Sequence, residues 1–274
     1  MQVQRWSLGE IEIVRVVDFQ LALPAPAGTV VPAWMSEQGF ADPDTGPLLA
    51  SSAIGIAVGR REGERLVVDP WLAFDGDRSD PGAVAPHADR LLGALAEAGF
   101  APHTVDVVVN SHVDGIGWNV RPSDDGQGWV AAFPNARYRF SQAELDLWPG
   151  DDRLAPLLEA GAVDAFDPPA ELAPGVTAES APGHGEGHCV VRVRSAGAEA
   201  LIGGHLFISP LSVSDPTVGL DGDDATLATD VRRGLLADAA ERHLLLIAPL
   251  LGGPGGGYVE ADGDGSWRLC IEPK

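Results

Sequence analysis

Apolar and polar residues follow two periods along the chain, and each change of period marks an element. "IEIVRVVDFQLAL" alternates as a half-buried strand does, and "SSAIGIAVGRREGERLVVDPW" predicts two strands joined by a turn at Arg61 to Glu64. In "PHADRLLGALAEAGFAP" the period lengthens. Leu91, Leu92, Leu95, Ala96 and Phe100 recur at helical spacing, and Gly99 with Pro102 ends the helix. Next, "VVVNSHVDGIGWNV" predicts a buried valine strand that empties into a polar, glycine-broken loop. The strand "ARYRFS" leads into a helix that opens at Ser141 with Glu144 three residues on, a capping-box spacing.

The second half repeats the theme. Strands are expected at "GVTAESAPG", "HCVVRVRSAG" and "EALIGGHLFIS", then a helix at "ATLATDVRRGLLADAAERH" and a strand at "LLLIAPLL". Strands followed by helices in both halves predict an α/β layered sandwich, a sheet in each half with helices outside. No linker composition interrupts residues 1–274, so one domain is expected. "RPSDDGQG" and "SDPTVGLDGDD" read as polar, mobile loops of the lid or insert kind.

Composition narrows the function classes. An apolar fraction of 45% beside 21% charged residues is that of an ordinary globular protein. A formal charge of -22 argues against nucleic acid or an anionic membrane as partner, because phosphates would be repelled. No apolar stretch approaches the roughly 20 residues that span a bilayer, and the N-terminus lacks the apolar run of a signal peptide. Cys189 and Cys270 are the only cysteines, so two free thiols in a reducing cytoplasm are expected.

The chemistry-bearing stretches are "LVVDPW", "VVVNSHVDGIGWN", "ARYRFSQAELDLW", "APGHGEGHCVVRV", "LIGGHLFISP" and "DVRRGLLADAAERHLLLIAPLLGGPGGG", in that order. Their succession resembles the metallo-β-lactamase fold superfamily, in its hydrolase-like bacterial branch, over roughly Trp6 to Cys270. The resemblance implies a four-layer αββα sandwich, two sheets face to face with helices outside. It also implies a pair of zinc ions held by a His-x-His-x-Asp-His loop, a later histidine, a bridging aspartate and a final histidine.

Carried over position by position, His112 matches the first histidine of the loop and Asp114 its aspartate, with Gly115 where the next histidine belongs. Two residues are missing between Val113 and Asp114. His184 in "APGHGEGH" matches the next ligand. The bridging aspartate falls at Gly204 and the final histidine at Pro249, and neither residue offers a donor. The resemblance therefore implies a dismantled two-metal site that keeps His112, Asp114 and His184.

Two histidines and a carboxylate with open positions would still suit a single zinc or iron ion. His205 neighbours the lost bridging position, although strand alternation would turn it to the other face. Without metal, the same groups move protons, which suits cyclisation, elimination or isomerisation of a small organic molecule in specialised metabolism. That metal-independent enzyme, with His112, Asp114, His184 and His205 as catalytic residues and no cofactor, is the leading expectation. A mononuclear zinc or iron hydrolase of esters, lactones or thioesters is the first alternative, and a non-catalytic small-molecule-binding or scaffolding protein the second.

Trp34, Trp71, Trp118 and Trp129 lie near loops expected to rim the pocket and suit an apolar or aromatic substrate, or else they pack the layers. His188 reads as a brace of the glycine-rich turn, His243 as a helix-end residue, and His87 and His103 as helix-end or surface residues. Asp221, Asp223 and Asp224 read as a solvated helix start. "GGPGGG" lacks the Lys-Ser/Thr of a phosphate loop, and no Gly-x-Ser-x-Gly elbow is present.

Overall fold

The computed structural model describes residues 1–22, 24–25, 27–60, 63–70, 81–113, 119–148, 154–263 and 265–272. Strands β1 (Gln2–Leu8) and β2 (Ile11–Ala22) are followed by α1 (Ala33–Glu37), β3 (Ala41–Asp42), β4 (Gly46–Arg60) and β5 (Arg65–Val68). Next come α2 (Pro81–Glu97), β6 (Val107–Val109), β7 (Val120–Pro122), β8 (Trp129–Ala131), β9 (Arg137–Ser141), α3 (Gln142–Leu147), α4 (Ala155–Glu159) and β10 (Val163–Phe166). The remainder holds β11 (Ala170–Ala173), β12 (Val176–Ser180), β13 (Cys189–Ser195), β14 (Ala198–Ile202), α5 (Leu211–Ser214), α6 (Ala225–Arg242), β15 (Leu245–Ile247), β16 (Gly256–Ala261) and β17 (Trp267–Cys270).

These elements form two compact units. One comprises Met1–Asp18 with Ser52–Pro168, the other Phe19–Ser51 with Pro169–Lys274. The sheet of the first unit runs in the order β1-β2-β4-β5-β6-β9-β10, and its members from β5 to β10 are parallel to one another. Parallel strands are covered on both faces and read as unbroken apolar runs. Val107, Val108 and Val109 are such a run, and all three are buried. The apolar stripe of α2, with Ala88, Leu91, Leu92 and Leu95, joins Val108, Phe133, Tyr138 and Phe140 in one core.

In the second unit β11 to β17 are neighbours in chain order, antiparallel except for the parallel pair β14–β15. Ala228, Leu236 and Ala239 of α6 pack with Leu201, Leu246 and Val259 of the sheet. Asp224 caps α6 by accepting a hydrogen bond from Leu227 N at 3.0 Å. The helix ends on His243 in the left-handed region (φ 53°). Both cysteines are free. No helix among the described residues is long and apolar enough to cross a membrane.

The segment "RPSDDGQG", expected as a lid or insert, supplies the end of β7 and the tip of the β7–β8 hairpin, closed by Ser123 and Gly128. Two details differ from the sequence reading. His87 lies within α2 and not at its end. There Arg90 donates to its Nδ1 at 3.0 Å and Asp18 is 3.9 Å away. The strand expected through residue 205 stops at Ile202, because Gly204 takes a left-handed backbone (φ 54°) and turns residues 204–206 into a 3-10 helix.

Candidate metal-ligating histidines

In the first unit, β6 delivers residues 110–113 at its carboxyl end. Asp69, one residue past β5, braces this segment from one side. Its Oδ1 accepts from Ser111 N and its Oδ2 from the Ser111 hydroxyl, both at 2.7 Å. Asp69 does this from a left-handed backbone (φ 49°), a conformation that non-glycine residues adopt uncommonly, aspartate among the most tolerant of it. Glu144 braces the other side, its Oε2 accepting from Val113 N at 2.8 Å. Glu144 is buried, and it sits there because Ser141 caps α3 by accepting from Glu144 N at 3.2 Å.

The Ser111 hydroxyl also lies 2.7 Å from Nδ1 of the buried His112. A hydroxyl has one proton, and the carboxylate of Asp69 only accepts. Ser111 therefore donates to Asp69, and His112 Nδ1–H donates to Ser111. In a neutral ring that leaves the lone pair on Nε2. A histidine prepared this way is a base or a metal ligand through Nε2. Asp114 and Trp118 follow His112 but lie outside the described residues, as does Trp71.

In the second unit, the turn after β12 carries His184 and His188, and the 3-10 turn after β14 carries His205. The rings of His184 and His205 are 5.1 Å apart, and those of His184 and His188 are 5.6 Å apart. His188 is occupied at both nitrogens. Its Nδ1 donates to Ala181 O at 3.0 Å and its Nε2 accepts from His205 N at 3.3 Å. It ties the two turns together, as its expected bracing role required.

His184 Nδ1 lies 2.9 Å from Asp223 Oδ1. Asp223 Oδ2 accepts from Arg232 at 2.7 Å and from Leu220 N at 3.1 Å. Arg232 is itself buried in α6 and donates from its other two nitrogens to Leu206 O (2.6 Å) and Pro216 O (3.0 Å). Burial pulls the Arg232 pKa down and Asp223 pulls it back up. A carboxylate so placed only accepts, so His184 carries its proton on Nδ1 and presents Nε2 as a donor to a metal. Asp223, read from sequence as a solvated helix start, is thus a buried partner of His184. Of that acidic trio, Asp224 alone is shown as the helix cap.

Gly183 makes this possible. Its φ is 128°, and a Cβ there would lie 2.5 Å from the Ala228 backbone, so α6 approaches the His184 turn only because residue 183 is glycine. Asp224 N completes the junction by donating to Gly183 O at 2.8 Å.

The second unit also carries a half-open cavity of about 330 Å³, lined chiefly by apolar groups including Pro24, Pro47, Leu211, Val218, Gly219 and Leu250. Of the tryptophans singled out by sequence, Trp34 is buried edge-on against Phe40 in the core of that unit. Trp129 is half-buried and packs against the core of the first.

Comparison with known proteins follows the same lines. No family model and no curated protein sequence matches the chain. Solved structures do. The chain superposes on a hydrolase of the beta-lactamase superfamily, AbOPH, with a TM-score of 0.76 at 18% identity, covering 99% of this chain and 98% of that one. It superposes on AidC, a dizinc quorum-quenching lactonase in complex with its N-hexanoyl-L-homoserine product, with a TM-score of 0.74 at 21% identity, again over 99% and 98%. A probable metal-dependent hydrolase from Staphylococcus aureus gives 0.68 at 16% identity, over 98% and 100%. The fold expected from the sequence, that of the metallo-β-lactamase superfamily, is therefore the fold of this chain.

Proposed function

We propose that the protein is a hydrolase of small esters, lactones or thioesters that uses a single divalent metal, zinc or iron. His184 and His205 would hold the ion, with His112 joining them as the family resemblance of the sequence implies. The observation that carries the reading is the preparation of His184. Its Nδ1–H is committed to Asp223 at 2.9 Å, and its ring faces that of His205 at 5.1 Å. Imidazoles fixed in the Nδ1–H form suit zinc and iron alike. Gly204 and Pro249, at the positions where the resemblance expects the bridging aspartate and final histidine, have no side-chain donor, so one ion is proposed rather than two. The structural likeness to metal-dependent hydrolases favours this reading over the metal-free proton-transfer enzyme that the sequence put first.

A bound ion would supply Lewis acidity, polarising an acyl carbonyl and acidifying water. The chain itself does the rest. Asp223 and Ser111 keep the two imidazoles in the ligating tautomer, Asp69 and Glu144 hold the strand end that presents His112, and the apolar cavity offers room for a hydrocarbon portion of the substrate. Metal content separates the readings. Protein purified without chelator is expected to carry about one zinc or iron per chain, and to lose lactone or ester hydrolysis on chelation. Activity undiminished after complete metal removal would return the metal-free reading to first place. Two ions per chain would refute the single site.

A further inference from the structure

We infer that Asp223 is the positioning residue that makes His184 a metal ligand, and that Arg232 fixes which oxygen of Asp223 does so. The inference rests on the single-metal reading for its consequence, but its structural core is independent of it. Asp223 has two oxygens with different tasks. Oδ2 takes two donors, Arg232 Nη2 at 2.7 Å and Leu220 N at 3.1 Å, while Oδ1 faces His184 Nδ1 at 2.9 Å. Both His184 and Asp223 side chains are nearly inaccessible to solvent, 6% and 4% exposed, so water does not readily substitute for either bond. Arg232, 1% exposed, is held in turn by two backbone carbonyls. A Cβ at position 219 would lie 2.3 Å from Arg232 Nη2 and 2.5 Å from Asp223 Oδ2, so a side chain there would have to displace the ends of this pair.

This division of labour makes Asp223→Asn informative. The amide keeps the shape of the carboxylate but has one acceptor. Two N–H donors at the Oδ2 position claim the amide oxygen, which turns the amide NH2 toward His184 Nδ1. Nδ1 must then accept, the ring proton moves to Nε2, and the ligating lone pair is lost. Asp223→Ala removes the constraint without imposing the reverse. Gly219 and Leu220 also line the apolar cavity, so the carboxylate that sets the tautomer of His184 also anchors part of the cavity wall.

The test has two arms. In the first, nitrogen-15 NMR of the metal-free full-length protein reads the His184 tautomer. Wild type is expected as Nδ1–H, Asp223→Asn as Nε2–H, and Asp223→Ala as a mixture. In the second, zinc is titrated into each protein in competition with a chromophoric chelator. Both variants are expected to bind about 10–100-fold more weakly than wild type, the range for loss of such a partner.

A folded Asp223→Asn that keeps the Nδ1–H form, or that binds zinc within twofold of wild type, overturns the inference. Should wild type itself bind no zinc, the single-metal reading falls while the NMR arm still decides the role of Asp223. Asp223→Asn preserves volume and accepts from Arg232, so it tests the idea even if the alanine variant does not fold.

Discussion

At the scale of single residues, the groups with the clearest consequences are those whose partners dictate where a proton sits. His87 is an example away from the candidate site. Burial pushes its pKa below the ordinary 6.5, nearby Asp18 pulls upward and Arg90 pushes down again. The Arg90 N–H on Nδ1 agrees, since it needs a lone pair there. A base whose pKa is lowered by folding binds its proton less well in the native state than in the unfolded chain. Its contribution is therefore intact above pH 6.5 and is lost as pH falls from there toward the lowered native value. Thermal melts between pH 7.5 and 5 should show wild type losing stability more steeply than His87→Gln. Parallel curves would contradict the assignment.

Legibility also varied by residue. His112 and His184 announce themselves because motif spacing survives in "NSHVD" and "PGHGEGH". Asp69, Glu144 and Asp223 do not, because each acts on a partner 30 or more positions away. Asp223 was further disguised by two acidic neighbours that have ordinary helix-start roles in sequence patterns. Only the position of Arg232, nine residues along the same chain segment, would have hinted that one of the three is buried.

At the scale of elements, the junction of α6 with the His184 turn should be the most sensitive. Gly183→Ala places a methyl 2.5 Å from the Ala228 backbone and forces an unfavourable φ, for a cost of about 2–4 kcal/mol. Asp224→Ala removes only the cap of the same helix and should cost about 1 kcal/mol. Denaturant unfolding of the two variants checks the ordering. A Gly183→Ala protein as stable as Asp224→Ala would mean that the turn moves freely.

The expected α2, α3 and α6 are present because helical spacing and caps are local signals. Likewise the expected strands at "ARYRFS" and "HCVVRVRS" form β9 and β13. The strand through His205 was misjudged because one left-handed glycine outweighs the apolar pattern around it. That error had consequences, since a continuing strand would have turned His205 away, and the turn at 204–206 instead brings its ring to His184.

At the scale of the whole molecule, the fold was legible because the order of six segments carries it, whereas the identity of the site was not. The resemblance places Gly204 and Pro249 where donors are expected and His205 beside one of those positions, yet only geometry brings forward Asp223 and pairs the ring of His205 with that of His184. Charge is the other global property. Forty acidic residues stand against 18 basic ones, for a formal net charge of -22. Like charges on one surface oppose compaction, and salt screens them, shortening the Debye length from about 30 Å at 0.01 M to about 8 Å at 0.15 M. Several basic side chains are committed to local pairs, as Arg192 is with Glu179 and Asp238 and Arg268 with Glu260. Salt weakens these too, but short contacts are screened less than distant repulsions. Repulsion should therefore dominate the response. The melting temperature is expected to rise between 10 and 150 mM NaCl, by about 2–4 °C for each kcal/mol of repulsion relieved. The same field disfavours anionic substrates, so under the proposed hydrolase reading raising salt should increase kcat/KM for a carboxylated ester while leaving a neutral lactone nearly unchanged. A melting temperature that falls with salt would show that the local ion pairs outweigh the net charge.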